Sequence, residues 1–460
     1  MKFDPFLAEH RFGYGRSPSI APPEDVGDML AELQRADHAQ AAFPIPPFRV
    51  LQDALALRIR FNSYARKNPD TAEGKAAGKK ARQIVRDMGR DHSQWFVQTQ
   101  LRRITTRHGF RERLAAFWAD HFTAKGGRGL LRFASPLYVE EAVRPYVTGG
   151  FAGLLTACIT HPLMLHYLDQ NTSAGPNSRV AKRRNRQRGL NENLAREVLE
   201  LHTLGVDGPY DQSDVRELAK LLTGLSATRH HGFKFRPAMV EPGAKMVLGR
   251  TYSAEGGVET IRQALNDLAS HPATAAHIAR KLAVHFVSDA PSNALVAHIS
   301  AAYLRSDGNL PECYIALLEH PHAWPSQSTN MRPPDEFISA ALRSLEPSAQ
   351  SLHQMDLRMV REVFLGPLQQ MGQAWLAPSG PDGFAENDSA WATPQGISAR
   401  LDWAVNAPAR LVPQLPDPRL FVQAALGEHV PDAVSFAANA AETREVAIGL
   451  ILAAPAFQRR

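Results

Sequence analysis

The sequence has few cysteines and no long apolar run. Its 460 residues include only two cysteines, Cys158 and Cys313, and neither belongs to a CxxC pair, which disfavours a disulfide scaffold or a zinc knuckle. No segment approaches the roughly 20 consecutive apolar residues that a membrane span needs. Residues 1–15 contain Asp4 and Glu9 but no apolar stretch typical of a signal peptide. The sequence alone therefore predicts a cytoplasmic protein with no membrane span.

Motifs for the common cofactors and nucleophiles are also missing. The sequence has no GxSxG elbow, no Walker A loop, no complete dinucleotide-binding motif and no HExxH zinc motif. Gly13 and Gly15 resemble part of a phosphate loop, but no predicted strand precedes them, so a turn is the better prediction. We expect no organic cofactor, and a metal is an alternative without a strong ligand motif.

Basic side chains slightly outnumber acidic ones. The chain carries 52 Lys and Arg against 46 Asp and Glu, a formal net charge of +6 at pH 7. Much of the excess lies in two basic runs at residues 75–86 and 179–188. Such runs are typical of solvated segments, and neither contains aromatic residues that could stack on bases. Nucleic acid is therefore not the expected partner.

Helical periodicity predicts the fold class. Amphipathic segments at helical spacing recur along the chain, for example at 50–66 and 110–122, and strands do not alternate with helices. We predict a mainly α protein: one large helical domain over residues 1–460, with long loops and at most a small β-hairpin. That hairpin would pair residues 233–235 with residues 246–248.

Three segments depart from the helical pattern. Residues 1–22 are predicted to form an extended N-terminal arm. Residues 170–188 are polar and rich in arginine, which predicts a mobile basic loop. Residues 374–395 are dense in Pro, Gly, Asp and Trp, and we expect this loop to cover one mouth of a cleft.

One predicted helix, at residues 189–205, combines a largely apolar circumference with many charged side chains. Asn191 is the expected N-cap, and Gly205 ends the helix. Spacings of three and four residues place the polar side chains on one face. This polar stripe consists of Glu192, Asn193, Arg196, Glu197 and Glu200.

The polar stripe has two interpretations. As a solvated face, it would hold ion pairs worth about 0.3–0.5 kcal/mol each. As the lining of a cleft, it would let Arg196 orient Glu197 and Glu200, one as general base and the other as general acid, with their pKa values pushed apart. Asp120 and His121, near the end of another predicted helix, would assist.

Two further polar residues have structural explanations. His202 lies on the apolar side of its helix, where a core histidine is more common than a ligand. Its two-residue offset from Glu200 places the two side chains on different faces. Asp211 and Asp214 form the pattern of a capping box, which accounts for both aspartates.

The segment at residues 191–206, Asn-Glu-Asn-Leu-Ala-Arg-Glu-Val-Leu-Glu-Leu-His-Thr-Leu-Gly-Val, resembles the signature of a bacterial family known as domain of unknown function 1800. The resemblance covers nearly the whole chain, because further segments fit the family in the same order. These are residues 117–122, 161–169, 243–249, 271–275, 281–282, 371–373 and 457–460.

The candidate catalytic residues are Glu197, Glu200, Arg196, Glu192, Asp120 and His121. The candidate binding residues are Asn191, Asn193, His202, Asp214 and Lys245.

The resemblance implies little about chemistry, because the family is named for having no assigned function. Its members often carry export signals and are often encoded beside a sulfatase-like family, domain of unknown function 1501. The resemblance therefore implies a sulfatase-like partner, and export together with it. The family usually has a His-Asp pair before Pro-Gly-x-Lys, where this chain has Val240 and Glu241. A metal ligand or base at that histidine would be lost here.

Three functions stay open at this point. The favoured one is a carboxylate-based hydrolase acting on a polysaccharide or another cell-envelope polymer, because acidic residues cluster and motifs for nucleophiles and cofactors are missing. The second is a non-catalytic binding or assembly protein that works with the sulfatase-like partner. The third is a carboxylate and histidine metal protein.

Overall fold

The computed structural model describes residues 3–184, 189–228, 232–253, 255–325, 330–427 and 430–460. Over these residues the protein is mainly helical, which confirms the predicted fold class, and it contains two small antiparallel two-stranded sheets. Buried apolar side chains from most of the helices form one continuous core. No helix in the described part of the chain is long and apolar enough to cross a membrane.

The helices follow one another with short connections. In the first half they are α1 Pro5–Leu7, α2 Val26–Gln34, α3 His38–Ala42, α4 Arg49–Lys67, α5 Ala72–Thr105, α6 Phe110–His121, α7 Ser135–Tyr138, α8 Phe151–Thr160, α9 Pro162–Tyr167, α10 Arg179–Arg184, α11 Asn193–Glu197 and α12 Gln212–Leu221. In the second half they are α13 Val258–Ala269, α14 Pro272–Phe286, α15 Asn293–Arg305, α16 Leu310–Glu319, α17 Pro334–Leu345, α18 Ala349–His353, α19 Leu357–Val360, α20 Gly366–Gln370, α21 Asp388–Trp391, α22 Pro394–Asn406, α23 Pro408–Leu411, α24 Pro418–Leu426, α25 Asp432–Ala440, α26 Arg444–Ala453 and α27 Pro455–Gln458.

Several helices continue into single wide turns of the π type. These turns are Ala8–Phe12 after α1, Val139–Val143 after α7, Val198–His202 after α11 and Arg361–Leu365 after α19. Short 3-10 segments complete the helical structure, at Gly129–Phe133, Arg144–Tyr146, Gln170–Thr172, Pro237–Met239 and Pro321–Ala323. Proline determines where several helices begin. It occupies the first helical position of α9, α14 and α22, where a backbone N–H would have no partner within the helix.

Helix α17 lies at the centre of the fold and connects distant parts of the chain. Its side chains are buried along nearly its whole length. Asp335 forms an ion pair of 2.7 Å with Arg103 of α5, and Glu336 pairs with Arg113 of α6. These buried pairs align α5 and α6 against α17, and the three helices form one side of the cavity described below.

The N-terminal segment is not the extended arm that the sequence predicted. Residues 5–12 are helical, and Glu9, Arg11 and Phe12 are buried. The Arg343 guanidinium of α17 donates to the carbonyl of Gly15 at 2.8 Å and to the Glu9 carboxylate at 3.2 Å. Charged residues that look solvated in the sequence are thus satisfied internally, which a pattern of hydrophobicity cannot show.

Residues 170–188 were predicted to be a mobile loop, but the described part is held to the fold. Gln170 is fully buried and donates to the carbonyl of Leu222 at 2.8 Å, and the backbone N–H of Asn177 donates to the Glu241 carboxylate at 2.8 Å. A side-chain amide and a backbone N–H therefore anchor a segment whose composition predicted a solvent-exposed loop. Residues 185–188 of the predicted loop lie outside the described residues.

The two sheets are local hairpins. Strand β1 Leu225–Thr228 pairs with β2 Gly232–Phe235, and β3 Lys245–Val247 pairs with β4 Arg250–Tyr252. The predicted pairing of residues 233–235 with 246–248 is therefore wrong. Leu248 and Gly249 both have positive φ, 49° and 73°, which suits a tight two-residue turn and pairs β3 with its immediate neighbour.

Candidate functional site

A cavity of about 120 Å³ lies between α5, α6, α17 and the loop at residues 374–387, which we name the covering loop. Asp120, at the end of α6, lines it from one side. Trp375 and Glu386 of the covering loop line it from the other, together with Trp391 of α21. The cavity is smaller than the roughly 300–1,000 Å³ of sites for drug-sized ligands, so it suits one small unit of a substrate.

Most of the charged side chains in the cavity wall neutralise each other. Four of the six carboxylates that line it pair with buried arginines. These pairs are Arg102 with Glu140 at 2.8 Å, Arg103 with Asp335 at 2.7 Å, Arg144 with Glu112 at 2.5 Å, and Arg113 with Glu336. The two lining carboxylates without an arginine partner among the described residues are Asp120 and Glu386. In the described part of the chain, these two carboxyl groups are the ones that no arginine neutralises.

Asp120 is held against the covering loop. Its carboxyl oxygens accept the backbone N–H of Phe384 at 3.0 and 3.2 Å. Gly383, with φ of 85°, comes so close to this carboxyl group that a β-carbon there would collide with it. Burial, reinforced by the nearby Glu386 carboxylate, raises the pKa of Asp120 to about 7.

Glu386 shares a hydrogen bond with His285 of α14. The Nδ1 atom of His285 lies 2.8 and 3.1 Å from the two carboxylate oxygens. The Nε2 atom lies 3.3 Å from Nη2 of Arg113, which can only donate, so Nε2 accepts and Nδ1 carries the proton. Burial acts to raise the pKa of Glu386, but His285 and Lys281 hold that pKa below its usual range.

The cavity thus holds two carboxyl groups whose pKa values move in opposite directions. Asp120, with its pKa raised to about 7, is still about half protonated at neutral pH, because burial disfavours its charged form. Glu386 loses its proton, because His285 donates to the charged form. A protonated carboxylic acid and an ionised carboxylate at one site are the pair that general acid–base chemistry requires.

The polar stripe lies elsewhere, on a partly exposed face beside α12. Arg196 pairs with Glu200 at 3.0 Å and approaches Glu192 at 3.9 Å. Gln212 of α12 connects the same residues, accepting from Arg196 and donating to Glu192, both at 2.9 Å. The Arg196 side chain is 39% exposed, so these interactions form a surface network.

Glu197 is a member of the stripe whose pKa is affected by the covering loop. Burial, with the neighbouring carboxylates of Glu200 and Asp382, raises its pKa, even though Arg196 opposes the shift. Asp382 belongs to the covering loop and directly precedes Gly383, which touches Asp120. Neighbouring residues of the covering loop, Asp382 and Gly383, are therefore near Glu197 and Asp120 respectively.

The predicted helix at residues 189–205 is shorter than expected and changes geometry midway. It begins at Asn193, with Glu192 rather than Asn191 as its N-cap, and it widens into the π-type turn Val198–His202. Thr203 stabilises this turn by donating to the carbonyl of Val198 at 2.6 Å. Asn191 still contributes, because its side-chain oxygen accepts the N–H of Asn193 at 2.8 Å.

His121 and His202 meet in the core rather than in the cavity. Their ring centroids are 5.6 Å apart, and His121 Nε2 lies 3.3 Å from the carbonyl oxygen of His202. Burial, reinforced by Lys281, lowers the pKa of His202 to about 3 and that of His121 well below its usual range. No group of three His, Cys, Asp or Glu among the described residues is placed to hold a metal ion.

The other candidate binding residues have structural contacts. Asp214 completes the predicted capping box with Asp211, which is confirmed, and also accepts the N–H of Leu248 at 2.7 Å. The buried ammonium group of Lys245 donates to the backbone carbonyls of Glu241 at 2.9 Å and of Pro242 at 3.2 Å. Burial lowers the pKa of Lys245.

Glu241, where the resembled family has an aspartate, supports a neighbouring segment. Its buried carboxylate accepts the N–H of Asn177 at 2.8 Å and the side-chain amide of Asn177 at 2.7 Å. Its own N–H donates to the hydroxyl oxygen of Thr223 at 2.8 Å. In this chain the position stabilises the fold.

His285 and Glu386 are site residues that the sequence did not reveal. His285 lies in α14 and belongs to no recognisable sequence motif. Glu386 lies in a segment that was predicted only to be a loop, from its Pro, Gly and Trp content. The hydrogen bond between them joins positions 101 residues apart, so no local spacing could predict it. The available signal was the adjacent pair Asp120-His121 together with a loop expected to cover a cleft.

Comparisons with known proteins agree with the resemblance in the sequence. The sequence profile of a family described as protein of unknown function (DUF1800) matches residues 8–459. No curated protein and no solved structure matches the chain. Because the profile covers nearly every residue, the chain belongs to the DUF1800 family.

Proposed function

We propose that the protein is a hydrolase in which Asp120 acts as general acid and Glu386 as general base. The observation that carries this proposal is the opposite shift of the two pKa values within one cavity. Asp120 would protonate the leaving group, while Glu386, held by His285, would accept a proton from the attacking water. The proposal keeps the carboxylate chemistry predicted from the sequence and assigns it to a different pair.

The substrate class we propose is a polysaccharide or another cell-envelope polymer, bound by one unit at a time. Trp375 and Trp391 line the cavity, and flat aromatic faces suit the apolar faces of sugar rings. The indole N–H groups of both are buried and have no hydrogen-bond partner among the described residues. Sugar hydroxyl groups are acceptors that could satisfy them.

The test compares Asp120→Asn and Glu386→Gln with the wild-type protein on insoluble envelope polysaccharides, by release of reducing ends. Each variant should lower kcat by about a hundredfold or more, because each removes one proton-transfer partner. Wild-type activity should fall as the pH rises above about 7, where Asp120 loses its proton. Glu259→Gln, on the exposed side of α13, is the matched carboxylate control.

Circular dichroism and melting temperature would establish that the variants are folded. Hydrolysis that survives unchanged in both Asp120→Asn and Glu386→Gln would overturn the assignment of the pair. Absence of hydrolysis by the wild-type protein over a broad polymer panel would favour the second function, a binding or assembly role with a sulfatase-like partner, which stays a prediction.

A further inference from the structure

Helices α4 and α5 form an antiparallel pair whose outer part is strongly basic. We name residues 58–86 the basic hairpin. It carries nine basic and only two acidic side chains, a balance of +7 compared with +6 for the whole chain. The basic residues are Arg58, Arg60, Arg66, Lys67, Lys75, Lys79, Lys80, Arg82 and Arg86. The basic hairpin thus carries about as much net positive charge as the whole chain.

These cations are not neutralised by the protein itself. Eight of the nine are exposed and Arg58 is half-buried, and within the described residues none forms an ion pair with a carboxylate. The nearest ion pairs flank the hairpin, Arg49 with Asp53 at 3.8 Å and Arg90 with Asp87 at 3.7 Å. The hairpin therefore has a positive electrostatic potential that attracts polyanions.

Four of the arginines share one groove between the two helices. Arg58 and Arg66 reach it from α4, and Arg82 and Arg86 reach it from α5. Its volume is about 840 Å³, and small or apolar side chains such as Val85 line it between the arginines. Guanidinium groups bind phosphate with two parallel hydrogen bonds, so four of them in one groove provide donors for several phosphate groups.

An exposed apolar side chain lies among the groove arginines. Ile59 of α4 is 46% exposed and lines the groove, and Val85 lines it from α5. A nucleic-acid backbone would leave these aliphatic side chains in water. A bilayer surface accepts both kinds of residue, because cations meet lipid phosphates while aliphatic side chains enter the boundary below them.

We infer that the basic hairpin docks the protein on an anionic phospholipid bilayer. The groove arginines bind lipid phosphates, and Ile59 enters the boundary between headgroups and acyl chains. This peripheral contact needs no membrane-spanning helix. It is independent of the proposed hydrolase activity, because the four groove arginines do not line the cavity.

The test is sedimentation of the full chain with vesicles of phosphatidylcholine, with and without about one-third phosphatidylglycerol. Only the anionic vesicles should bind, and binding should weaken as salt screens the charges. Changing Arg58, Arg66, Arg82 and Arg86 together to glutamine should weaken partitioning by about a hundredfold or more, since each cation near an anionic surface contributes about 1 kcal/mol. The matched control changes four exposed arginines of α12 to α15 to glutamine. They are Arg216, Arg262, Arg280 and Arg305.

A second variant separates lipid from other polyanions. Ile59→Ser keeps every charge and should weaken binding to anionic vesicles while leaving binding to heparin unchanged. Equal binding to neutral and anionic vesicles, or equal losses in the groove variant and its matched control, would overturn the inference. Tighter binding to duplex RNA than to vesicles would make nucleic acid the occupant and overturn it too.

Discussion

His202 is a fully buried residue whose two ring nitrogens have no hydrogen-bond partner among the described residues. Its pKa is lowered to about 3, first by burial and then by the Lys281 ammonium. The imidazole is therefore neutral in the folded protein, and a core histidine was what its position in the sequence predicted. It contributes a polar group to the core without the bonds that usually compensate for one.

Replacing His202 with leucine should reduce the sensitivity of the protein to acid. In the unfolded chain a histidine has a pKa near 6.5. Below that pH the unfolded state therefore binds a proton at this position, whereas folded His202 stays neutral. Stability should fall as the pH drops from about 6.5 towards 3, and this slope should be shallower in His202→Leu. Melting temperatures between pH 4.5 and 7.5 measure it.

His161 is a buried histidine that does form a hydrogen bond, so it is the control for stability at pH 7.5. Burial lowers its pKa to about 3 as well, but its Nδ1 accepts the N–H of Leu163 at 3.1 Å and caps α9. His161→Leu should therefore lower stability by about 1 kcal/mol at pH 7.5, whereas His202→Leu should not. A large loss at pH 7.5 in His202→Leu would show that its nitrogens are engaged after all.

At the scale of single elements, the covering loop determines how Asp120 is presented. Gly383→Ala should push this loop away from the carboxyl group, because φ of 85° disfavours alanine and the new β-carbon would meet the Asp120 side chain. We expect a loss of hydrolase activity and about 1–2 kcal/mol of stability. Activity and melting temperature measured on the same preparation test it.

Gly380→Ala, in the same loop, is the control. Gly380 does not have a positive φ, and the atom nearest to its added β-carbon belongs to the flexible end of the Asp382 side chain. That side chain can move aside, so the variant should melt close to the wild-type protein. Equal damage in both variants would mean that the loop as a whole, and not its contact with Asp120, is sensitive.

Helices were the part of the fold that sequence patterns predicted best. The segment predicted at 110–122 is α6, Phe110–His121, because its apolar spacing and its packing agree. The N-terminal arm was wrong, since its helical structure depends on distant contacts such as that of Glu9 with Arg343. The hairpin pairing was wrong because the turn at Leu248 and Gly249 pairs β3 with its immediate neighbour. The site shows the same limit: Asp120 contacts Phe384 across 264 positions, and only the folded chain brings them together.

At the scale of the whole molecule, Arg343 connects the N-terminal segment to the central helix. Its guanidinium donates to the Glu9 carboxylate and to five backbone carbonyls, those of Gly15, Arg103, Ile104, Thr106 and Arg107. Arg343→Met would leave these acceptors and the buried Glu9 charge without a donor. The cost should be about 3–5 kcal/mol of unfolding free energy, measured by denaturant titration.

Arg358→Met is the corresponding surface change. Arg358 pairs with Glu362 at 2.7 Å, but its side chain is 84% exposed, so water replaces the lost interaction. Its denaturation midpoint should match that of the wild-type protein. If Arg343→Met were equally harmless, the N-terminal segment would not depend on α17.

Helix α5 runs without interruption for 34 residues, from the Thr71 cap in the basic hairpin to Arg102 and Arg103 in the cavity wall. Each residue of an α-helix adds about 100° of rotation as well as about 1.5 Å of length. A single inserted residue between the two ends would therefore turn the hairpin arginines away from α4 while the cavity wall stayed in place. The number of residues in α5 fixes the orientation of the groove arginines relative to the cavity wall. The helix can therefore gain or lose residues only in numbers that restore this orientation, such as about seven or eleven.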